Sequence, residues 1–322
     1  MRAIQVREHG GPDVLRIDEV DPPTAGPGDL LVDVAAAGVN YIDTYHRSGA
    51  YPTRPPFVPG MEGAGTVREV GADVTDFAPG DQVAWGTVTG SYAEQVVVPA
   101  AEAVAVPEGV TDETAAAAML QGMTAHYLLK ATYPVAEGDT VLVHAAAGGV
   151  GLLLTQWARN LGARVIGTVS TQAKEDLARA AGAEEVIRYT EQDVAAAVRD
   201  LTGGKGVAVV YDGVGKDTFD ASLASLRRRG TLVVFGASSG PVPPFDLQRL
   251  NSGGSLFVTR PTLAHHTAER DELVMRASEV FEEIAAGRLD FRIGARYPLA
   301  DAAKAHDDLQ SRRTTGKLLL IP

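Results

Sequence analysis

The sequence contains no cysteine. That absence excludes a disulfide framework, a thiolate nucleophile, an iron–sulfur cluster and any zinc site built on sulfur ligands. Positive charge is scarce too, with 29 Lys and Arg against 41 Asp and Glu and a formal net charge of −12. A broad nucleic-acid footprint needs clustered basic residues, so polyanion binding is disfavoured as the main task. No charge-free apolar run reaches the roughly 18–20 residues that span a bilayer. The opening MRAIQVREHG lacks the apolar stretch of a signal peptide. The expectation is a soluble, cytoplasmic protein. Glycine (35) and proline (18) fall well below disordered composition, and 45% of the residues are hydrophobic. At 322 residues the chain is longer than a single core comfortably grows, so two domains are expected.

The pattern changes along the chain. Residues up to about 110 alternate apolar and polar in Ala3–Val6, Val14–Ile17, Leu30–Val34, Gly65–Val70, Asp81–Trp85 and Glu94–Val98, punctuated by Asp21-Pro22-Pro23, Gly26-Pro27-Gly28 and Pro79-Gly80. This predicts a mostly-β module. An Ala-rich helix over Thr111–Lys130 follows, then strands at Thr140–Ala145, Arg164–Val169, Glu185–Tyr189, Val207–Asp212, Thr231–Gly236 and Ser255–Arg260. Helices are predicted between them at Val150–Leu161, Thr171–Ala181, Glu191–Leu201 and Asp217–Leu226. Apolar strands separated by amphipathic helices imply an α/β, doubly wound parallel sheet of the Rossmann type. The tail carries a helix over Ala268–Ala286, a short strand at Phe291–Ile293, a helix near Asp301–Leu309 and a strand at Lys317–Ile321. That last strand needs a sheet partner, and the opening module is the nearest candidate. The domain expectation is therefore 1–122 with 264–322, and 123–263.

Thr140-Val-Leu-Val-His-Ala-Ala-Ala-Gly-Gly-Val-Gly151 places Ala145, Gly148 and Gly151 at three-residue spacing between a buried strand and a helix. Small residues there let a diphosphate approach backbone N–H groups at the positive end of the helix. An NAD site usually carries an acid about 20 residues on to bind the ribose hydroxyls. Here the second strand ends Thr168-Val169-Ser170-Thr171 and Lys174 follows, which suits the 2′-phosphate of NADPH. The competing reading makes Lys174 a solvated helix residue.

A metal site is not expected. At Pro59-Gly60-Met61-Glu62-Gly63 the zinc-dependent alcohol dehydrogenases carry Gly-His-Glu-Gly, and the thioether of Met61 is a poor zinc ligand. The histidines, including His144 and the adjacent His265 and His266, have no ligand spacing and read as surface or satisfied side chains.

The stretch Gly138 to Arg159 resembles the signature of the zeta-crystallin-like quinone oxidoreductases, a zinc-free branch of the medium-chain dehydrogenase/reductase superfamily. The likeness extends over essentially the whole chain: Asn40-Tyr-Ile-Asp-Thr-Tyr45, Ser48-Gly-Ala-Tyr51-Pro52, Gln121-Gly-Met-Thr124, Tyr211-Asp-Gly-Val-Gly215, Phe235-Gly-Ala-Ser-Ser239, Val258-Thr-Arg-Pro261 and Ser311-Arg312. The resemblance implies a GroES-like mostly-β catalytic domain joined to a Rossmann cofactor domain, a homodimer, and NADPH-dependent reduction of quinones. Carried over by position, Lys174, Tyr189 and Arg312, with Ser170 at the strand end, clamp the adenosine ribose phosphate, while Gly148, Gly149 and Val150 form the diphosphate loop. Asn40, Thr124, Phe235, Ser238 and Arg260 line the nicotinamide half, and Tyr45 and Tyr51 flank the quinone. Phe235 as plain core, Tyr189 as a strand end and Arg260 as a dimer contact remain open. The same resemblance puts the subunit contact at Gly253–Arg260.

Under this reading the chain's task is positioning and polarisation. Asn40 is expected to donate to the cofactor or the acceptor oxygen. Tyr45 or Tyr51 is expected to hydrogen-bond the carbonyl, with Asp43 orienting either. Two alternatives stand beside it: an NADPH-dependent 2-alkenal or enone reductase, and an RNA- or nucleotide-binding protein without turnover, against which the charge of −12 speaks.

Overall fold

The computed structural model describes all residues, Met1–Pro322. Its contacts gather the chain into two compact units, one of Met1–Met123, Thr267–Gly287 and Phe291–Pro322, the other of Thr124–His266 with Arg288–Asp290.

The first unit opens on an antiparallel pair, β1 (Arg2–Gln5) and β2 (Arg16–Glu19). The strand expected at Val14–Ile17 starts later because Pro12, whose ring fixes φ, initiates a 3-10 turn over Pro12–Val14. Next come β3 (Asp29–Val39), α1 (Tyr41–Ser48), β4 (Glu62–Val70), β5 (Gln82–Trp85), β6 (Gln95–Pro99), β7 (Val104–Ala105) and α2 (Asp112–Tyr127). β3 extends beyond the expected Leu30–Val34 and is the hub, pairing antiparallel with both β4 and β6. Helix α1 was not foreseen. Its signals are an Asn40-x-x-Asp43 start, in which the Asp43 carboxylate accepts from the Asn40 backbone N–H at 2.8 Å, and Gly49 at φ 77° as its stop.

The second unit runs β8 (Thr140–Val143), α3 (Gly149–Asn160), β9 (Arg164–Val169), α4 (Gln172–Ala180), β10 (Glu185–Arg188), α5 (Val194–Leu201), β11 (Val207–Asp212), α6 (Phe219–Ser225), β12 (Leu226–Val234), α7 (Gln248–Ser252), β13 (Phe257–Thr259) and α8 (Leu263–His266). Its strands form one parallel six-stranded sheet in the order β10-β9-β8-β11-β12-β13. Leu142, Ile166, Ile187, Val210 and Leu232 fill the core under its helices. The expected elements are present with shifted ends. Helix α5 starts at Val194 because Asp193 caps it, accepting from the Ala196 N–H at 2.8 Å. Strand β12 begins at Leu226, directly after α6, rather than at Thr231.

The tail adds α9 (Arg270–Ala285), β14 (Ile293–Pro298), α10 (Ala302–Gln310) and β15 (Lys317–Ile321). The strand expected at Phe291–Ile293 begins where that expectation ends. β15 pairs antiparallel with β3, with Leu318 opposite Val39 and Leu320 opposite Ala37, so the last strand does find its partner in the opening module. It pairs parallel with β14 on its other side, completing a seven-stranded sheet.

Candidate active site

In the second unit, chain order reverses between β8 and β11, the centre of the sheet. Ligands of open parallel sheets bind at such a switch point, beyond the carboxyl ends of the strands. Gly148, Gly149 and Val150 follow β8, Ser170 and Lys174 follow β9, and Tyr189 follows β10. Phe235 and Ser238 follow β12, and Arg260 follows β13. Ser170 and Tyr189 share one corner: Tyr189 N–H donates to the Val169 carbonyl at 3.1 Å, and the Thr190 hydroxyl donates to the Ser170 carbonyl at 3.2 Å. Lys174 lies in the first turn of α4, its N–H donating to the Thr171 hydroxyl at 3.4 Å. Phe235 and Ser238 share another, bonded through their backbone N–H groups to the Asp212 and Gly213 carbonyls. Arg260 Nη1 donates to the Val234 carbonyl at 3.2 Å. Thr124 is buried in α2.

The diphosphate loop passes a direct test of fit. Helix α3 starts at Gly148 with no side-chain cap, so its first-turn N–H groups are available to an anion. A Cβ on Gly151 would lie 2.2 Å from the Ala145 carbonyl oxygen, and Ala145 itself turns at φ 51°. Only a side-chain-free residue lets strand, loop and helix close this tightly. Behind the loop, His144 bonds Thr168 at 2.9 Å and Ser222 at 3.0 Å, and Ser222 donates to Asp212 at 2.8 Å. Asp212 also accepts from the Val214 and Gly215 N–H groups at 2.8 and 3.0 Å, fixing the loop after β11. Burial holds the His144 pKa below its ordinary value, which keeps the ring neutral in this network.

The first unit presents a different chemistry. Asn40 is buried, and its carboxamide is spent within the protein. Nδ2 donates to Glu62 Oε2 at 2.8 Å and to the Gly38 carbonyl at 3.4 Å. Oδ1 accepts from Lys317 Nζ at 2.8 Å and from Gln121 Nε2 at 3.2 Å. Lys317 and Glu62, buried side by side, form an ion pair, and Glu62 Oε1 accepts from the Leu120 N–H at 2.6 Å. This departs from the expectation of Asn40 as a donor free for a ligand.

Asp43 also departs from expectation. Its Oδ2 accepts from the Asn40 N–H and from the Tyr92 hydroxyl at 2.9 Å, and its Oδ1 has no hydrogen-bond partner. It therefore orients neither Tyr45 nor Tyr51 by a hydrogen bond; it ties α1 to Tyr92. Complete burial pushes its carboxyl up to about 7, against the opposing pull of the Asn40 N–H, Tyr92 and Lys317. Tyr92 meets His306 Nε2 at 3.1 Å, and Arg47 Nη1 lies 3.0 Å from His306 Nδ1. An arginine can only donate, so Nδ1 accepts and Nε2 carries the proton. Burial, helped by Arg47, pushes His306 down to about 3.

Tyr45 and Tyr51 do come together, with ring centroids 5.1 Å apart and the Tyr51 N–H donating to the Tyr45 carbonyl at 3.1 Å. Arg312 lies near Tyr41, whose phenol is raised by burial and lowered by that charge. Met61 Sδ accepts from the Thr89 hydroxyl at 3.2 Å. Sequence reasoning missed Glu62, Lys317, Tyr92 and His306 as members of this region. Their partners lie far apart in the chain, and only the Asn40-x-x-Asp43 spacing carried a local signal.

Two family models match: the alcohol dehydrogenase GroES-like domain over residues 26–108 and the zinc-binding dehydrogenase domain over residues 149–273. A quinone oxidoreductase of Pseudomonas aeruginosa is 47% identical over 325 residues, covering 100% of this chain and 99% of the other. A mycobacterial protein solved in complex with NADPH superposes with a TM-score of 0.98 at 55% identity, over 100% of both chains. The Escherichia coli quinone oxidoreductase, also solved with NADPH, gives 0.98 at 44% identity over 100% of both. On its sequence and its fold alike, this chain belongs to the quinone oxidoreductase family of the medium-chain dehydrogenase/reductase superfamily.

Proposed function

We propose that the protein reduces quinones with NADPH. The observation that carries this is the strand-end cradle of the second unit. An uncapped helix start lies behind a loop that tolerates no side chain at Gly151, and the neighbouring strand end offers Ser170 and Lys174 where an NAD site carries an acid. Residues 123–263 hold the cofactor, and 1–122 with 264–322 serve the acceptor. When bound, NADPH supplies the hydride. The amides of Gly149 and Val150 hold the diphosphate. Lys174, Tyr189 and Arg312 read the 2′-phosphate, and Thr124, Phe235, Ser238 and Arg260 fix the nicotinamide end. Tyr45 and Tyr51 form an aromatic wall for a flat acceptor. Two electrons and one proton entering a quinone give a quinolate, a stable anion needing no strong acid, which water then protonates.

The protein works in the cytoplasm as a homodimer joined through Gly253–Arg260. Support comes from β13, the last strand of its sheet, where Phe257 is 61% exposed.

Steady-state rates with NADPH and NADH against 1,4-benzoquinone, larger quinones and a simple enal test the assignment. Quinones with NADPH should give the highest kcat/KM. An enal turned over faster than every quinone would reassign the enzyme as a double-bond reductase, and no turnover with either nucleotide would refute it.

A further inference from the structure

We propose that Gln121 is the group that hydrogen-bonds the carbonyl oxygen of the acceptor, held in place by a buried support of Asn40, Lys317 and Glu62. The inference deepens the quinone-reductase reading and rests on it. Four polar side chains meet here, and their valences can be followed one by one. Asn40 has two N–H bonds and two oxygen lone pairs. The N–H bonds go to Glu62 and Gly38, and the lone pairs take Lys317 and Gln121. Glu62 and Lys317 pair with each other and with Asn40, Glu62 is held further by the Leu120 N–H, and both are sealed from solvent. Gln121 differs. Its Nε2 gives one proton to Asn40, while its second N–H and its Oε1 have no partner in the protein, and the side chain is only half-buried. It is the one member of the cluster able to reach a ligand without breaking an existing bond.

The support also fixes which way the carboxamides face. Lys317 can only donate and the Glu62 carboxylate can only accept, so Asn40 must turn Oδ1 to the lysine and Nδ2 to the glutamate. The second lone pair of Oδ1 then selects the nitrogen end of Gln121. A swivelling amide thus becomes a fixed donor, and Lys317 is a positioning residue acting through Asn40. Gln121 donates a hydrogen bond and transfers no proton; the proton that completes the hydroquinone comes from water.

The test compares wild type with Gln121→Leu, Gln121→Glu and the charge-balanced double variant Lys317→Met/Glu62→Gln, which leaves no buried ion unpaired. For each, kcat/KM for 1,4-benzoquinone, the NADPH dissociation constant and the melting temperature are measured. Gln121→Leu should lower kcat/KM tenfold or more with NADPH affinity within twofold of wild type. The loss should be similar in Gln121→Glu, which trades a donor for a negative charge, and in the double variant. Adding Gln121→Leu to the double variant should then cost less than a further twofold. Unchanged kcat/KM in Gln121→Leu, or an equal loss in NADPH affinity, overturns the inference while the function stands. A wild-type enzyme inert toward every acceptor refutes both.

Discussion

The two units handle polar groups in opposite ways. In the second, the groups proposed to meet a ligand are loop amides and side chains at strand ends, such as the first turn of α3, Lys174 and the 41%-exposed Tyr189. The buried polar groups behind them, His144, Ser222 and Asp212, are hydrogen-bonded to one another and to the loop backbone. In the first, a carboxylate, an ammonium, a neutral imidazole and a carboxyl with one unpaired oxygen are all sealed among β3, β4, β15, α1 and α10. Binding through backbone and surface charge tolerates change, whereas orientation through buried charge is coupled to folding. The same kind of substitution should therefore read out as affinity in one unit and as stability in the other.

The largest effect is expected at Glu62. Glu62→Gln strands the Lys317 ammonium in the interior and should lower stability by about 3–5 kcal/mol, whereas neutralising both partners should restore most of it. Denaturant unfolding of the single and double variants checks this. A Glu62→Gln protein as stable as wild type would place the pair in contact with water and erase the contrast between the units.

A smaller effect separates two groups inside the first unit. With its carboxyl raised to about 7 from 3.8, Asp43 favours the fold at low pH and loses that contribution as pH climbs between those values. His306, lowered from 6.5 to about 3, does the reverse, favouring the fold above 6.5 and losing that contribution as pH falls. In the window they share the slopes oppose each other. Asp43→Asn leaves the His306 slope alone, so the variant should gain roughly 2–3 kcal/mol relative to wild type between pH 5 and pH 8. Urea midpoints at the two pH values measure it. Parallel pH profiles for the two proteins would mean that Asp43 is ionised throughout.

What could be read from the sequence follows the same division. The parallel sheet, its order of elements and the Gly148–Gly151 loop were legible because each rests on local periodicity and spacing. Element ends moved where a cap or a turn residue decided them, the start of β2 at Pro12 and the start of α5 at Asp193. Asn40, Asp43, Tyr45 and Tyr51 were visible as candidates, but the partners of the first two were not. Lys317 lies 277 positions from Asn40, and His306 lies 214 from Tyr92. No window of sequence holds both members of such a pair. As a result Asn40 and Asp43 were each assigned a ligand or tyrosine that the folded chain replaces with Lys317, Glu62 and Tyr92. Helix α1 was missed because it is only eight residues long and, with two tyrosines and two basic side chains, polar on average.

The central claim is that the second unit's strand ends, with Arg312, select NADPH by its 2′-phosphate. Calorimetric titration of NADPH and NADH into wild type and Lys174→Ala/Arg312→Ala tests it most directly. Wild type should bind NADPH at least about tenfold tighter than NADH, since a charge-assisted phosphate contact contributes more than 1 kcal/mol. The double variant should lose that preference without a change in melting temperature. Equal affinity of wild type for both nucleotides, or a preference that survives in the variant, would contradict the account.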